Sequence, residues 1–524
     1  MVKKLLNVLN VCKRAIKKLK PRKRDQNVVS QEQENAPRSF WKKVLPRKLK
    51  RKKRKDNAII QNKFKDPVSS PSLPTECLIE IFTYVQDDLR TLNACLLVCK
   101  EWCNVVIPLY WSRPFHCKTS ANVIKTYLQC LSKHERQNIK TCGIKLKRNK
   151  PPTFYYANLL RELSMSKLYL SVDSWIHISQ KSIKNYPMFT YHTKNSSILS
   201  DLQDLSIHHV DTRDVFRELS WSCQNLKNLE IIDYTFLNLP EIRHRSIHTL
   251  ISSQTNLQRC KFFAYGLSPI QPIDALSTQT KTLTHFELVY AKFYANNSDV
   301  KDSINAFKAL ANCTNLESII INSCLFSSDK ILQPLTTVKF PNLKILHFKS
   351  LLSNISTIFI DMIKANSRSL QDLWYSDKVA RNLTLPILET VVTYLENISS
   401  LKRLIIPFKS EQAPQLSPFL IQCKSLTTLK LVGPYGQERE INEYLPELAN
   451  ELPLSIKHLS IDLNWVVLTT LEEFFENCKA DLDTFYIGGW KRQMPEVHVK
   501  LIEQYLKKEK NSIDLFKFLK DIRS

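Results

Sequence analysis

Residues 226–231 read LKNLEI: an apolar residue, two variable residues, an apolar residue, one variable residue and a last apolar residue. The final two apolar positions alternate, as a short strand with one buried face requires. One such hexad proves nothing in a leucine-rich chain, but this one is not alone. LQDLSI starts at 202, LQRCKF at 257, LTHFEL at 283, LESIII at 316, LKILHF at 343 and LQDLWY at 370. LKRLII follows at 401, LTTLKL at 426, IKHLSI at 456 and LDTFYI at 482, so successive starts lie 24 to 33 residues apart. Between hexads, stretches such as DSINAFKALANCTNL, LETVVTYLENISSL and TLEEFFENCKADL repeat apolar residues at three- and four-residue intervals, the spacing of an amphipathic helix. One strand plus one helix cannot bury its own apolar side, whereas stacked units share a continuous core. The fold class expected is therefore α/β, a solenoid with strands on the concave side and helices outside.

These hexads, and the small residue or cysteine ahead of many of them (Cys223, Ser253, Cys313, Ser367, Cys423, Cys478), resemble the leucine-rich repeat family over residues 201–490. The family often carries Asn or Cys three residues past the hexad. Here only Cys324 and Asn464 do so; Tyr234, Tyr265, Ala291 and Leu351 stand at that place elsewhere. The register is least regular near 257 and 283. The variable residue between the last two apolar positions should face out of the concave surface. That row supplies the candidate protein-binding residues Glu230, Lys261, Glu287, His347, Trp374, Lys430 and Tyr486, with the aromatics as anchors. The plain alternative is a neutral solvated surface. Residues 491–524 carry Leu501, Tyr505, Leu515, Phe518 and Leu519 on helix-spaced faces and are expected to cap the last repeat.

Upstream, residues 73–85 read LPTECLIEIFTYV. Pro74 suits the start of a helix, Glu76 and Glu80 complement its dipole, and Leu78, Ile81, Phe82 and Val85 form an apolar stripe. DDLRTLNACLLVCKEWCNVVIPLYW continues with a second helix through Leu89, Leu92, Leu96 and Cys99, and a third through Trp102 and Val106 that stops before Pro108. A unit of this size cannot bury so much apolar surface internally, so part of it should be covered by a partner. Leu73-Pro74, Glu76, Leu78, Ile81-Phe82, Leu89, Cys95, Val98-Cys99-Lys100, Trp102, Leu109 and Trp111 resemble an F-box over residues 70–115. The resemblance implies a Skp-family adaptor, and through it a cullin, as partner. Leu73, Pro74, Leu78, Ile81, Phe82 and Leu92 would make that contact, while Val98 and Trp102 would sit partly in the F-box core. An F-box followed by leucine-rich repeats resembles the substrate receptors of SCF (Skp–cullin–F-box) ubiquitin ligases, which hold a protein substrate and do no chemistry themselves. Cys95, Cys99 and Cys103 fall four apart, on one helix face by spacing. Three thiols without a fourth ligand are better read as small apolar residues than as a metal site.

Composition sets the remaining bounds. Residues 1–65 hold 23 Lys and Arg against 4 Asp and Glu, so this tail carries +19 of the chain's +27. Such like charges repel, and a disordered tail over 1–66 is expected. Arg47, Lys48, Lys50, Arg51, Lys52, Lys53, Arg54 and Lys55 form a run of the kind that addresses a protein to the nucleus. Contact with nucleic acid or with a membrane surface through the same tail are the alternatives. The domains expected are the tail, an F-box over 67–115, a connecting segment of packed helices over 116–200, and the solenoid with its cap over 201–524. Only 6 glycines occur in 524 residues, none in a phosphate-cradling pattern, and no HExxH, GxSxG or paired CxxC is present. Neither catalytic residues, cofactor nor metal is expected, and scattered cysteines point to a reducing compartment, nucleus or cytoplasm. A repeat scaffold outside ubiquitin transfer, or a nucleic-acid-associated adaptor led by the tail, are the rival functions.

Overall fold

The computed structural model describes residues 73–507 except 116–119, 132, 134–135, 138–151, 180–198, 209–212, 233–239, 266–267, 295–296, 354, 378–386, 395–397, 409–412, 433–443, 463–467 and 488–495. The basic tail, its nuclear-targeting run, Asn464 and the last residues of the cap (Leu515, Phe518, Leu519) lie outside the described residues. The described chain falls into two compact units that divide between Tyr110 and Trp111.

The smaller unit contains three helices: α1 (Thr75–Tyr84), α2 (Leu89–Cys95) and α3 (Lys100–Ser112), the last crossing the unit boundary. Pro74 stands at the N-cap of α1 and its carbonyl accepts from the Leu78 amide at 3.1 Å. Asp88 caps α2: its carboxylate accepts from the amides of Arg90 (3.0 Å) and Thr91 (3.2 Å) and from the Thr91 hydroxyl (2.6 Å). The Thr91 hydroxyl contributes most to holding the Asp88 carboxyl below its usual range. The sequence placed a stop before Pro108, yet α3 runs through it to Ser112. Pro108 and Asn104, whose carbonyl loses its amide partner, are both exposed, so water can take the missing bond. Cys95 closes α2, Cys99 lies in the turn and Cys103 on α3, so the three thiols do not share one helix.

The larger unit is built on one twelve-stranded parallel sheet whose strands follow chain order. The strands are β1 (Glu162–Ser164), β2 (Asp204–His208), β3 (Asn228–Ile232), β4 (Arg259–Phe263), β5 (His285–Val289) and β6 (Ser318–Asn322). They continue as β7 (Ile345–Leu351), β8 (Asp372–Asp377), β9 (Arg403–Pro407), β10 (Thr428–Val432), β11 (His458–Asp462) and β12 (Thr484–Ile487). Helices including Arg213–Ser222, Asn297–Ala311, Ser356–Asn366 and Leu468–Asn477 link successive strands and pack against one another. The apolar positions of all eleven hexads whose burial is described are no more than 4% exposed. This is the leucine-rich-repeat arrangement that the hexads implied. Pairing is continuous through β4 and β5, where the sequence was least regular.

The array begins earlier than the hexad count indicated. Residues 160–165, LRELSM, form another hexad, and Glu162–Ser164 pair in parallel with Asp204–Ser206 as β1. Its Leu160, Leu163 and Met165 are buried in the solenoid core. The segment 116–200 is thus not wholly a helical connector: Ala121–Gln129 and Met165–Ser179 are helices, but a strand lies between them. At the other end, Glu496–Lys507 closes the core, with the Tyr505 ring stacked 4.2 Å from Phe475 and Ile502 and Leu506 buried.

Buried amide side chains staple neighbouring repeats. Gln254 Nε2 donates to the carbonyls of Cys223 and Leu250 (both 2.8 Å), and Gln254 Oε1 accepts from the Leu226 amide at 3.1 Å. Gln279 repeats the device one unit on, donating to Gln254 O at 2.9 Å and accepting from Leu257 N at 3.4 Å. Asn366 Oδ1 accepts from Phe340 N at 2.6 Å while its Nδ2 donates to Met362 O at 2.8 Å. These side chains satisfy backbone groups in the turns that lead into the strands. Gln254→Leu removes the partners of buried backbone groups and is expected to cost about 1–3 kcal/mol. Urea unfolding of the variant checks this; an unchanged midpoint would show that the bonds are dispensable.

Candidate functional site

In the small unit, the core is made by Leu78 and Phe82 of α1, Leu92 and Cys95 of α2 and Val106 of α3, with Trp102 packed against it. The Phe82 and Trp102 rings meet edge to face at 5.0 Å. Three of the six candidate adaptor-contact residues, Leu78, Phe82 and Leu92, therefore face inward. Leu73, Pro74 and Ile81 face solvent. The reason is sector geometry: positions 78 and 82 lie about 40° apart in the sector of α1 turned to α2 and α3, and 81 falls outside it, about 60° from 78 and 100° from 82. Val98, placed partly in the core by the sequence, is 60% exposed, and its neighbour Leu97 is 85% exposed. Both lie in the turn between α2 and α3 (Leu96–Val98). Tyr84 and Ile79 of α1 are exposed as well. Leu97, Tyr84 and Ile79 were missed because nothing in an apolar residue's identity says which way it points.

In the solenoid, the seven candidate binding residues fall in one transverse row. Parallel register pairs Ser206 with Glu230, Glu230 with Lys261, Lys261 with Glu287, Glu287 with Ile320 and Ile320 with His347. It continues from His347 to Trp374, Ile405, Lys430, Ser460 and Tyr486. A second row, two residues earlier, sets Glu162, Asp204, Asn228, Arg259, His285 and Ser318 side by side.

Over β1–β6 these rows line a groove of about 420 Å³. Glu230 Oε2 accepts from the Ser206 hydroxyl at 2.8 Å, and Asn228 donates to Asp204. The Lys261 ammonium lies 3.0 Å from Glu287 and 4.7 Å from the Phe263 ring centre. Beyond Phe263 the chain forms an aromatic ledge. Tyr265 stacks on Phe263 and lies 5.0 Å from Tyr290, and both tyrosines adopt positive φ (37° and 57°). Tyr290 and Tyr294 are exposed.

Over β7–β11 the row closes up. His347 and Lys430, expected on an open surface, are only 4% and 7% exposed. His347 Nε2 lies 2.7 Å from Asp372 Oδ1, its ring meets Trp374 edge to face, and Lys349 Nζ sits 4.0 Å over the indole. Ile405 and Ser460, which flank Lys430 in the row, are buried too. Asp372 also pairs with Arg403 at 3.4 Å. Burial lowers the His347 pKa from 6.5, and the hydrogen bond and charge of Asp372 only partly oppose it. His285 and His458 are lowered as well, burial again first among the causes. The unfolded imidazoles thus take up protons near pH 6.5 and the folded ones only at lower pH. Their contribution to stability is complete above pH 6.5 and is lost as pH falls below it. The melting temperature is expected to drop between pH 7 and 5.5, and to drop less in His347→Gln; equal pH dependence in both would contradict this assignment.

Burial pushes the thiols of Cys313, Cys324 and Cys423 up to about 12, which keeps them protonated and unreactive. Among the described residues no cluster of three ligand-type side chains is placed to hold a metal ion.

Residues 70–117 match the F-box-like family model. Comparison with curated protein sequences finds no match. Solved structures similar to the chain include an internalin of Listeria monocytogenes, at 13% identity and a TM-score of 0.27, covering 57% of this chain and 78% of that one. A leucine-rich-repeat protein of Leptospira interrogans is similar at 16% identity and a TM-score of 0.29, covering 62% of this chain and 81% of that one. The chain thus carries an F-box-like segment at residues 70–117, which folds as three helices, and C-terminal to it in sequence a parallel sheet of twelve strands in leucine-rich-repeat register.

Proposed function

We propose that the protein is the substrate-receptor subunit of an SCF-type ubiquitin ligase: a protein-interaction adaptor with no chemistry of its own. The observation that carries the reading is the division of the F-box-like unit. Leu78, Phe82, Leu92 and Val106 fill its core, and Leu73, Ile81, Tyr84, Leu97 and Val98 remain exposed. So many large apolar side chains on so small a unit mark a surface completed by another chain. A Skp-family adaptor is the partner that F-box-like domains generally take, and a cullin follows through it. The sheet face opposite the helices would hold the client. The gain is proximity, since a client lysine is then held at high effective concentration near activated ubiquitin.

Co-purification with a Skp-family adaptor tests this. Ile81→Asp combined with Val98→Asp is expected to abolish co-purification without changing the melting temperature, because both side chains already face water. Adaptor retained by the double variant would remove the docking surface from the proposal. A scaffold outside ubiquitin transfer would bind clients and no adaptor. For the basic tail we propose a nuclear address; a reporter fused to residues 1–60 that spreads evenly through the cell would refute it.

A further inference from the structure

The groove over β1–β6 has a charge distribution opposite to that of the chain. On β1, β2 and β3 its lining includes Glu162, Asp204 and Glu230 and not one Lys or Arg. Its first cations come at Arg259 and Lys261 on β4, and Lys261 is taken by Glu287. The protein as a whole carries +27. Between the charged rows the floor is strand backbone, because Leu163, Leu205, Leu229 and Phe286 turn their side chains into the core. The carboxylates stand on successive strands about 4.8 Å apart, among the described residues no three ligand-type side chains group to hold a metal ion, and the spread suits several cationic side chains along a peptide. At the far end, Lys261 leads onto the Phe263–Tyr265–Tyr290 ledge, whose tyrosine rings offer faces for apolar or guanidinium groups.

We propose that this groove takes an extended segment of the client rich in lysine or arginine, its cations on Glu162, Asp204 and Glu230 and its following residues on the tyrosine ledge. From β1 to β5 is about 19 Å at ordinary strand spacing, the length of roughly six extended residues. The assignment rests on the receptor reading in that it names the chemistry of the client, and it fixes which half of the sheet face does the recognising. Steep salt dependence follows, because the groove is open and its carboxylates are screened.

The test uses the full chain co-expressed with a Skp-family adaptor and two short fluorescent peptides. One alternates lysine with serine and leucine; the other has glutamate in place of each lysine. The lysine peptide is expected to bind at least tenfold more tightly, and Asp204→Lys combined with Glu230→Lys to erase the difference while adaptor co-purification persists. Should that double variant fail to fold, Glu162→Lys is read instead, with a smaller loss expected. Equal affinity for the two peptides, or preference unchanged by charge reversal, overturns the groove assignment. Lost adaptor binding with peptide preference intact overturns the receptor reading alone. If the chain's own tail were the occupant, replacing Arg51, Lys52, Lys53 and Arg54 by alanine would tighten peptide binding; a client is the occupant only if affinity stays unchanged.

Discussion

Phe82→Ala is expected to unfold the F-box-like unit while leaving the solenoid intact. The Phe82 side chain is 2% exposed, meets Trp102 edge to face and joins α1 to the rest of a core made of few fully buried residues. Truncating a buried phenylalanine costs about 3–5 kcal/mol, comparable to everything a core of this size supplies. Two transitions should become visible in calorimetry, or the smaller one should vanish at ordinary temperature, and adaptor co-purification should be lost. A cooperative melt identical to wild type would show that another contact holds the helices together. The same logic explains why Leu78→Asp and Phe82→Asp are poor probes of the proposed docking face. They would abolish adaptor binding by destroying the unit, whereas Ile81, Leu97 and Val98 can be changed without touching its core.

The second large effect is expected at Phe359→Ala. This ring is fully buried between Phe348 of β7, at 5.4 Å, and Tyr375 of β8, at 5.1 Å. It therefore belongs to two neighbouring repeats at once. Removing it should cost about 3–5 kcal/mol. In a stacked array, stability is a sum of units and of the interfaces between them, so the loss falls on one interface. The melt should broaden or split, with hydrogen exchange rising on both sides of the β7–β8 junction and little in β2–β4. Uniform loss of protection along the whole array would show that the solenoid unfolds as a single cooperative block.

What could be read from the chain depended on whether a periodic pattern or a local choice decided the outcome. The hexads were legible because every repeat presents the same alternation to the same core, and the row from Glu230 to Tyr486 followed from register alone. LRELSM at 160–165 fits the pattern equally well. It was passed over because it starts 42 residues before the next hexad and runs directly into a helical stretch. In the F-box-like unit, Leu78, Ile81 and Phe82 are chemically alike, and only the placement of α2 and α3 decides that two point in and one points out. His347 and Lys430 were read as exposed from strand alternation, which separates the two faces of a sheet but cannot tell open water from a crowded surface. The stapling amides Gln254, Gln279 and Asn366 lie in helix ends and turns, where a polar residue ordinarily signals solvent.

The strands pair one after another, although the hexads that begin them recur at anything from 24 to 33 residues. All of that variation is taken up on the outward-looping side of each coil, where length costs little. The strand-bearing surface consequently behaves like a comb with fixed tooth spacing: insertions lengthen its handle and leave its pitch alone. Such a comb can exchange individual teeth, acid for base or aromatic for aliphatic, and still measure the same distances along whatever is laid across it.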